Sequence, residues 1–280
     1  MLSVAQAVTL ACLWEVTAAK PGNVHRGADF DDVTFSDFAT SAVLIGPLLA
    51  NAATEGVGPT IFNAVRATRE AIGSNTNLGM ILLLAPLAAV PPEEDLQSGV
   101  ARVLRGLTPQ DTAAVYQAIA LAQPGGLGKV DEADVAGEPP QSLVEAMRLA
   151  AERDFVAKQY ADDYREVFEH VVAPLVSACQ GGLSLTSAII DTYVRLIARF
   201  GDSLIARKCG EETSQQAAIY AQQVLAAGAP GDENYHEALS DFDFWLRCDG
   251  HRRNPGTSAD LIAAGLYVVF RERLIPPPWK

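Results

Sequence analysis

Aromatic side chains are scarce in this 280-residue chain, where Phe, Tyr and Trp make up 7% of the residues. Ala, Leu, Val and Ile must therefore supply most of any core. Cysteine and histidine are also few, four of each, with no CxxC pair and no HExxH or other paired spacing. That argues against a disulfide framework and a structural zinc site, and unpaired thiols fit a reducing cytoplasm. Positive charge is short as well. The 21 Lys and Arg face 34 Asp and Glu, a net charge of −13, which argues against a nucleic-acid partner because a duplex binder needs a net basic face. The longest apolar run, Met80 to Val90, falls far short of the roughly 20 residues of a membrane span. Residues 1–14 are apolar, but no basic segment precedes them, and Glu15 and a Lys-Pro turn follow where a cleavage site would stand. They are expected as a first amphipathic helix rather than a signal peptide. The expected protein is soluble and cytoplasmic, with small-molecule partners, no membrane contact, and self-association left open.

What is present is an apolar, helix-forming sequence, 49% hydrophobic and 20% charged, the balance of a folded globular protein. Val4, Ala7, Val8 and Ala11 recur at helical spacing. Thr34 with Asp37, and Thr108-Pro109 with Asp111, read as N-caps with an acid at the third helical position. Pro59 is expected to open a helix carrying Ile61, Val65, Thr68 and Ile72 on one face. Met80 to Val90 is apolar all round, the mark of a helix buried by its neighbours. Further helices fit 141–153, 157–178, 184–200, 211–227, 233–247 and 257–274. No alternating strand, βαβ rhythm or fixed-period repeat is evident. The expected fold class is all-α, a single multi-helix domain over 1–280 with a long internal loop at about 123–141. The Gly125 to Lys129 run inside that loop lacks the spacing and preceding strand of a phosphate loop. Arg69 with Glu70, and Asp162, Asp163, Glu166 and Glu169, read as solvated helix faces.

Four polar, glycine-bearing strings interrupt the helical pattern: Glu15 to Gly27, Gly73 to Ile81, Gly201 to Gly210 and Arg252 to Asp260. Each stands where one helix should end and another begin, which is how a helical scaffold offers side chains and free N–H groups to an anion. Lys20, Asn23, His25 and Arg26 cluster around the Pro21-Gly22 turn and suit a polyphosphate, although cations also settle at helix C-termini for dipole reasons alone. Glu15, about one turn before Lys20, either orients that lysine or acts on a substrate hydroxyl. Asn75, Thr76 and Asn77 exceed what one N-cap needs, and Gly79 in a first turn lets a ligand approach the backbone. Asp202 follows Gly201 at a helix start with Arg207 and Lys208 beyond. Asn254 to Ser258 forms a turn that leads to Asp260. Both acids also fit ordinary helix starts.

Together these strings resemble the triphosphoribosyl-dephospho-coenzyme A synthase family. The resemblance rests on Lys20-Pro21-Gly22, on Asn75 to Gly79 against an NTHKG-like string, on Asp202 to Arg207, and on Pro255 to Leu261 against PGGSADLL. Asn77 and Leu78 stand where the citrate-lyase members carry His and Lys, and Thr257 replaces a glycine, which suggests a divergent branch. The resemblance implies a helical enzyme that moves a triphosphoribosyl group from ATP to the ribose 2′-hydroxyl of 3′-dephospho-coenzyme A and releases adenine. Such a product is a prosthetic-group precursor. A related ribosyl transferase or nucleosidase with another acceptor, or a non-catalytic nucleotide-binding protein, are the alternatives. Carboxylates suit the oxocarbenium-like charge that develops as adenine leaves, and a divalent cation, expected to be Mg2+, suits a triphosphate beside them. On this reading Asp202 and Asp260 hold the metal or stabilise the oxocarbenium. Lys20, Arg26, Arg207 and Lys208 bind phosphate. Asn23, Asn75, Thr76, Gly79, Asn254 and Ser258 line the nucleotide. Either His25 or Glu15 deprotonates the acceptor.

Overall fold

The computed structural model describes residues 2–124 and 137–279. Among them the only β contact is an isolated antiparallel bridge between His25 and Ala28. The first half contributes α1 (Val4–Thr17), α2 (Phe35–Leu49), α3 (Ala52–Glu55), α4 (Val57–Ile72), α5 (Leu78–Ala88), α6 (Leu96–Arg105) and α7 (Pro109–Ala122). After the segment 125–136 come α8 (Leu143–Ala150), α9 (Phe155–Ala161), α10 (Arg165–Val167), a π-helical turn (Phe168–Val172) and α11 (Ala173–Gln180). The chain ends with α12 (Leu185–Phe200), α13 (Ser203–Cys209), α14 (Glu211–Ala227), α15 (Glu233–Arg247) and α16 (Gly256–Arg271). Most of the loop expected at 123–141, including Gly125 to Lys129, lies outside the described residues. No described helix is long and apolar enough to cross a membrane.

Local chemistry accounts for most helix starts. Ser3 with Gln6, Thr34 with Asp37 and Thr108 with Asp111 form reciprocal capping boxes, each satisfying two backbone donors that a helix start otherwise leaves open. Asp111 also accepts a hydrogen bond from Gly58 N at 2.8 Å, tying α7 to α4. Pro59 does not open its helix, because α4 begins at Val57 after a left-handed-region Gly56.

The stretch 157–178 is not one helix. It breaks at Asp163 and Tyr164, whose φ values are 51° and 62°, and the tyrosines at and before the break reach an earlier helix. Pro86 sits inside α5, and its missing N–H deprives the Leu82 carbonyl of its helical donor. The Tyr160 hydroxyl donates to that carbonyl at 2.6 Å and the Tyr164 hydroxyl to Leu83 O at 2.9 Å. The break in the later segment turns two buried phenols onto the earlier helix. Glu166 is likewise no solvated acid. It is buried beside Lys158 and Arg165, whereas Asp163 and Glu169 are exposed.

α16 is buried along nearly its whole length and packs against α1, α5 and α12. This convergence brings the start of α16, the start of α5 and the end of α1 to one place, and the functional candidates gather there.

Candidate active site

A cleft of about 1340 Å³ opens at these helix termini, and all four polar strings contribute to its wall. The second string forms one edge. Asn75 Oδ1 accepts from Leu78 N at 3.1 Å, and Thr76 Oγ1 lies 2.6 Å from Ser41 Oγ, fixing the turn to α2. Gly79 then permits a close crossing, since a Cβ there would lie 1.9 Å from Asp260 Oδ2. Only glycine lets that carboxylate rest against the first turn of α5. Asp260 is half-buried and has no hydrogen bond or ion pair among the described residues. Burial first, and then the negative charges of Glu15, Asp202 and Asp154, hold its pKa well above the ordinary carboxylate range. An acid in that condition attracts a cation or a proton.

Asp202 is placed very differently. It is buried, and Oδ1 accepts from Leu204 N at 2.9 Å and Ile205 N at 3.1 Å to cap α13. Oδ2 accepts from both Ser258 N and Ser258 Oγ at 2.8 Å, capping α16 from 56 residues away in sequence. Both oxygens are committed to pinning two helices together. Asp202 and Ser258, expected at the metal and the nucleotide, are thus bonded to each other, and both line a smaller cavity of about 400 Å³ instead of the large cleft. Burial raises the Asp202 pKa and the Ser258 and Ile205 bonds oppose that rise.

The first string is also reassigned in part. Lys20 is fully buried, with Nζ 2.8 Å from Glu15 Oε1 and a further bond to Glu15 O. Its expected phosphate is replaced by an internal carboxylate, because an ammonium removed from water needs a partner at hand. Glu15, 1% exposed, cannot meet an acceptor hydroxyl from that position. His25 lies outside the cleft wall, where Nδ1 accepts from Gly27 N at 3.2 Å. Burial and the Arg247 charge lower its pKa. Arg26 is exposed and also outside the wall.

What reaches the cleft from this string is Asn23, whose Nδ2 donates to Asn254 Oδ1 at 3.0 Å, joining the first string to the fourth. The turn that presents it is firmly held. Gly22 takes φ 71° and its N–H donates to Asp243 at 2.7 Å, while Arg247 binds both Asp243 and the Asn23 carbonyl. The Tyr193 hydroxyl reaches the Pro21 and Pro255 carbonyls at 3.2 and 3.4 Å, spanning the same two strings from below.

The cationic side of the cleft consists of Arg207 and Lys208 together with Arg69 and Arg153. Arg207 pairs with Asp154 at 2.7 Å, while its Nε is buried without a hydrogen-bond partner among the described residues. Burial lowers the Lys208 pKa, so this lysine too gains from an incoming anion. Asp154 spends Oδ1 on capping α9 at Val156 N and offers Oδ2 to Arg207. The smaller cavity adjoins the cleft and shares the Asp154–Arg207 pair with it. At the mouth, His251 Nδ1 lies 2.9 Å from Asp32 Oδ1. Arg69, read as a solvated face, is a wall residue. Asp154, Arg153, Asp32 and His251 were not legible as site residues. Asp154 before Phe155 reads only as an N-cap, and Asp32 and His251 meet across 219 residues.

The family model for ATP:dephospho-CoA triphosphoribosyl transferase (CitG) matches residues 1–276. The chain belongs to that family. This transferase moves a triphosphoribosyl group from ATP onto dephospho-CoA. Among solved structures it is similar to a protein from Archaeoglobus fulgidus provisionally described as a triphosphoribosyl-dephospho-coA synthase. The TM-score is 0.64 and the identity 23%, over 86% of this chain and 99% of that one. At that identity the likeness establishes a common fold. A comparison with curated proteins found no match. Of the three departures from the family strings, Asn77 is the buried N-cap of α5, Leu78 its first residue and Thr257 the buried second residue of α16, and all three border the cleft of the transferase.

Proposed function

We propose that the transferase carries out a direct transfer in the large cleft, from ATP to the ribose 2′-hydroxyl of 3′-dephospho-coenzyme A. The C1′–N9 bond of ATP breaks, a C1′–O2′ bond forms, and the proton lost by the hydroxyl balances the one gained by the departing adenine. One observation carries this assignment: Asp260 is a carboxylate in the cleft wall with no hydrogen bond or ion pair among the described residues, and it lies against Gly79. An unpaired carboxylate beside C1′ stabilises the positive charge that develops there. Arg207, Lys208, Arg69 and Arg153 receive the triphosphate, and Asn23, Asn254 and Asn75 orient sugar and base.

The residues present also fit a divalent cation, Mg2+ being the natural candidate. No group of three or more His, Cys, Asp or Glu side chains forms a cage among the described residues, but Mg2+ commonly needs only one or two carboxylates plus substrate phosphates. Asp260, set among three other carboxylate charges, is the residue that would hold it, and the ion would neutralise triphosphate charge. A cytoplasmic setting is supported by four cysteines that are all free.

The test is adenine release from ATP, measured with and without dephospho-coenzyme A. Release that depends on the acceptor supports direct transfer. Equal release in its absence would make the protein a nucleosidase and sink this reading.

A further inference from the structure

The cleft has two chemically different parts. α5 forms a wall common to both: Gly79 meets Asp260 at the reacting end, and Leu82 stands three residues further along the helix, roughly 4.5 Å up its axis. From Leu82 onward the wall is carbon-rich, made by Tyr116 and Ile119 of α7, Leu143 and Met147 of α8, and Val156 of α9. None of these six side chains is ionisable near neutral pH; the charged wall meets them at the start of α9, where Arg153 and Asp154 line the cleft and Asp154 Oδ1 accepts from Val156 N at 2.8 Å, while Arg207, Lys208 and Asp260 come from α13 and α16. The volume of about 1340 Å³ also exceeds the roughly 300–1000 Å³ usual for a single small-molecule site.

We infer that the apolar part is a subsite for the pantetheine arm of the acceptor, so that ATP and dephospho-coenzyme A occupy the cleft together. ATP and the acceptor both contain adenosine and phosphates, and those groups are served by the amides and cations of the polar part. The pantetheine arm is what distinguishes the acceptor: a long, uncharged chain whose branched dimethyl carbon and methylenes are apolar, interrupted by a hydroxyl and two amides and ending in a thiol. An apolar wall gains by burying the dimethyl and methylene carbons of such a chain and offers nothing to a polyphosphate. Ile119, half-buried at the cleft surface, is then a specificity-determining residue. This inference rests on placing the reacting end at Asp260.

The probe is 4′-phosphopantetheine, the arm without its nucleotide, used as an inhibitor of the wild-type enzyme and of Ile119→Glu and Met147→Ala. Competition against dephospho-coenzyme A but not against ATP is expected. Ile119→Glu should weaken inhibition and lower kcat/KM for dephospho-coenzyme A about 10-fold or more, with the ATP KM within about 2-fold. Met147→Ala should give a smaller change of the same kind, which keeps the test open if the charged variant folds poorly. Competition against ATP, or an equal loss for both substrates in Met147→Ala, would overturn the subsite. Failure of the acceptor to stimulate adenine release in wild-type enzyme would instead overturn the transfer reading itself.

Discussion

Asp202 and Asp260 look alike in sequence, each an acid beside glycine-bearing turns at the start of a helix, yet they occupy opposite states. Asp202 receives four hydrogen bonds from α13 and α16. Asp260 receives none among the described residues and is surrounded by like charge. Burial alone therefore does not mark a reactive acid. What separates the two is whether donors from distant segments arrive, and for Asp202 the donor is Ser258. A carboxylate whose donors are supplied holds a fold together, and one whose donors are withheld is available to a substrate.

The largest effect expected from this contrast is on turnover. Asp260→Asn should lower kcat by roughly 10²–10³, the loss of about 3–4 kcal/mol in the transition state, measured at saturating ATP and cation. The same change should stabilise the ligand-free protein. A raised folded pKa means that the folded state holds the proton more tightly than the unfolded chain, so stability is full below the ordinary carboxylate value and falls as pH rises through the folded one. Asn removes that fall. The Tm of Asp260→Asn should exceed that of wild type at neutral pH and meet it near pH 4, where the ordinary carboxylate titrates. A Tm lowered at neutral pH would show that Asp260 has a partner in the fold.

Asp202→Asn should do the reverse. The amide supplies one acceptor oxygen in place of two, leaving buried N–H groups of α13 or α16 opposite a donor, at a cost of about 1–3 kcal/mol. Denaturant unfolding should register that loss, while turnover per folded molecule stays within a few-fold of wild type. A fall in kcat comparable to that of Asp260→Asn, with stability unchanged, would reverse the two assignments.

Gly79→Ala sharpens the contrast from the other side of the contact. Its methyl would lie 1.9 Å from Asp260 Oδ2, so the carboxylate or α5 must move. A displacement of this kind in a reacting group should cost at least about 10-fold in kcat. The ATP KM should change less, because Arg207 and Lys208 are untouched.

The helices were largely legible from sequence because their signals are local. Capping boxes at Thr34 and Thr108, and the periods of α14 and α15, need only neighbouring residues. The break at Asp163–Tyr164 was hidden because the contacts on either side of it, to the Leu82 and Leu83 carbonyls, lie in another helix. Within the site, the strings revealed where helix ends meet, and Asn23, Asn75, Arg207 and Asn254 do share one cleft. Of the two readings of Glu15, the one in which it orients Lys20 matches the ion pair, but no local signal shows that the two enter the core together. The four bonds to Asp202 were hidden because its second set of donors is 56 residues away.

The smallest effect is expected at Arg26, and it tests whether location or charge assigns a phosphate ligand. Arg26 and Lys208 are both cations in polar strings, but Lys208 borders the cleft and Arg26 is exposed outside it. An exposed side chain without an ion pair among the described residues contributes little, so Arg26→Ala should alter stability by less than about 0.5 kcal/mol and leave the ATP KM within about 2-fold. Lys208→Ala removes a half-buried ammonium from the cleft wall proposed to receive the triphosphate. A charge-assisted hydrogen bond worth about 1.5–3 kcal/mol predicts an ATP KM raised roughly 10-fold or more. Titrating ATP against both variants at fixed dephospho-coenzyme A decides the matter. Equal increases in KM would mean that the first string folds over the bound nucleotide, bringing Arg26 to a phosphate it does not approach in the free enzyme.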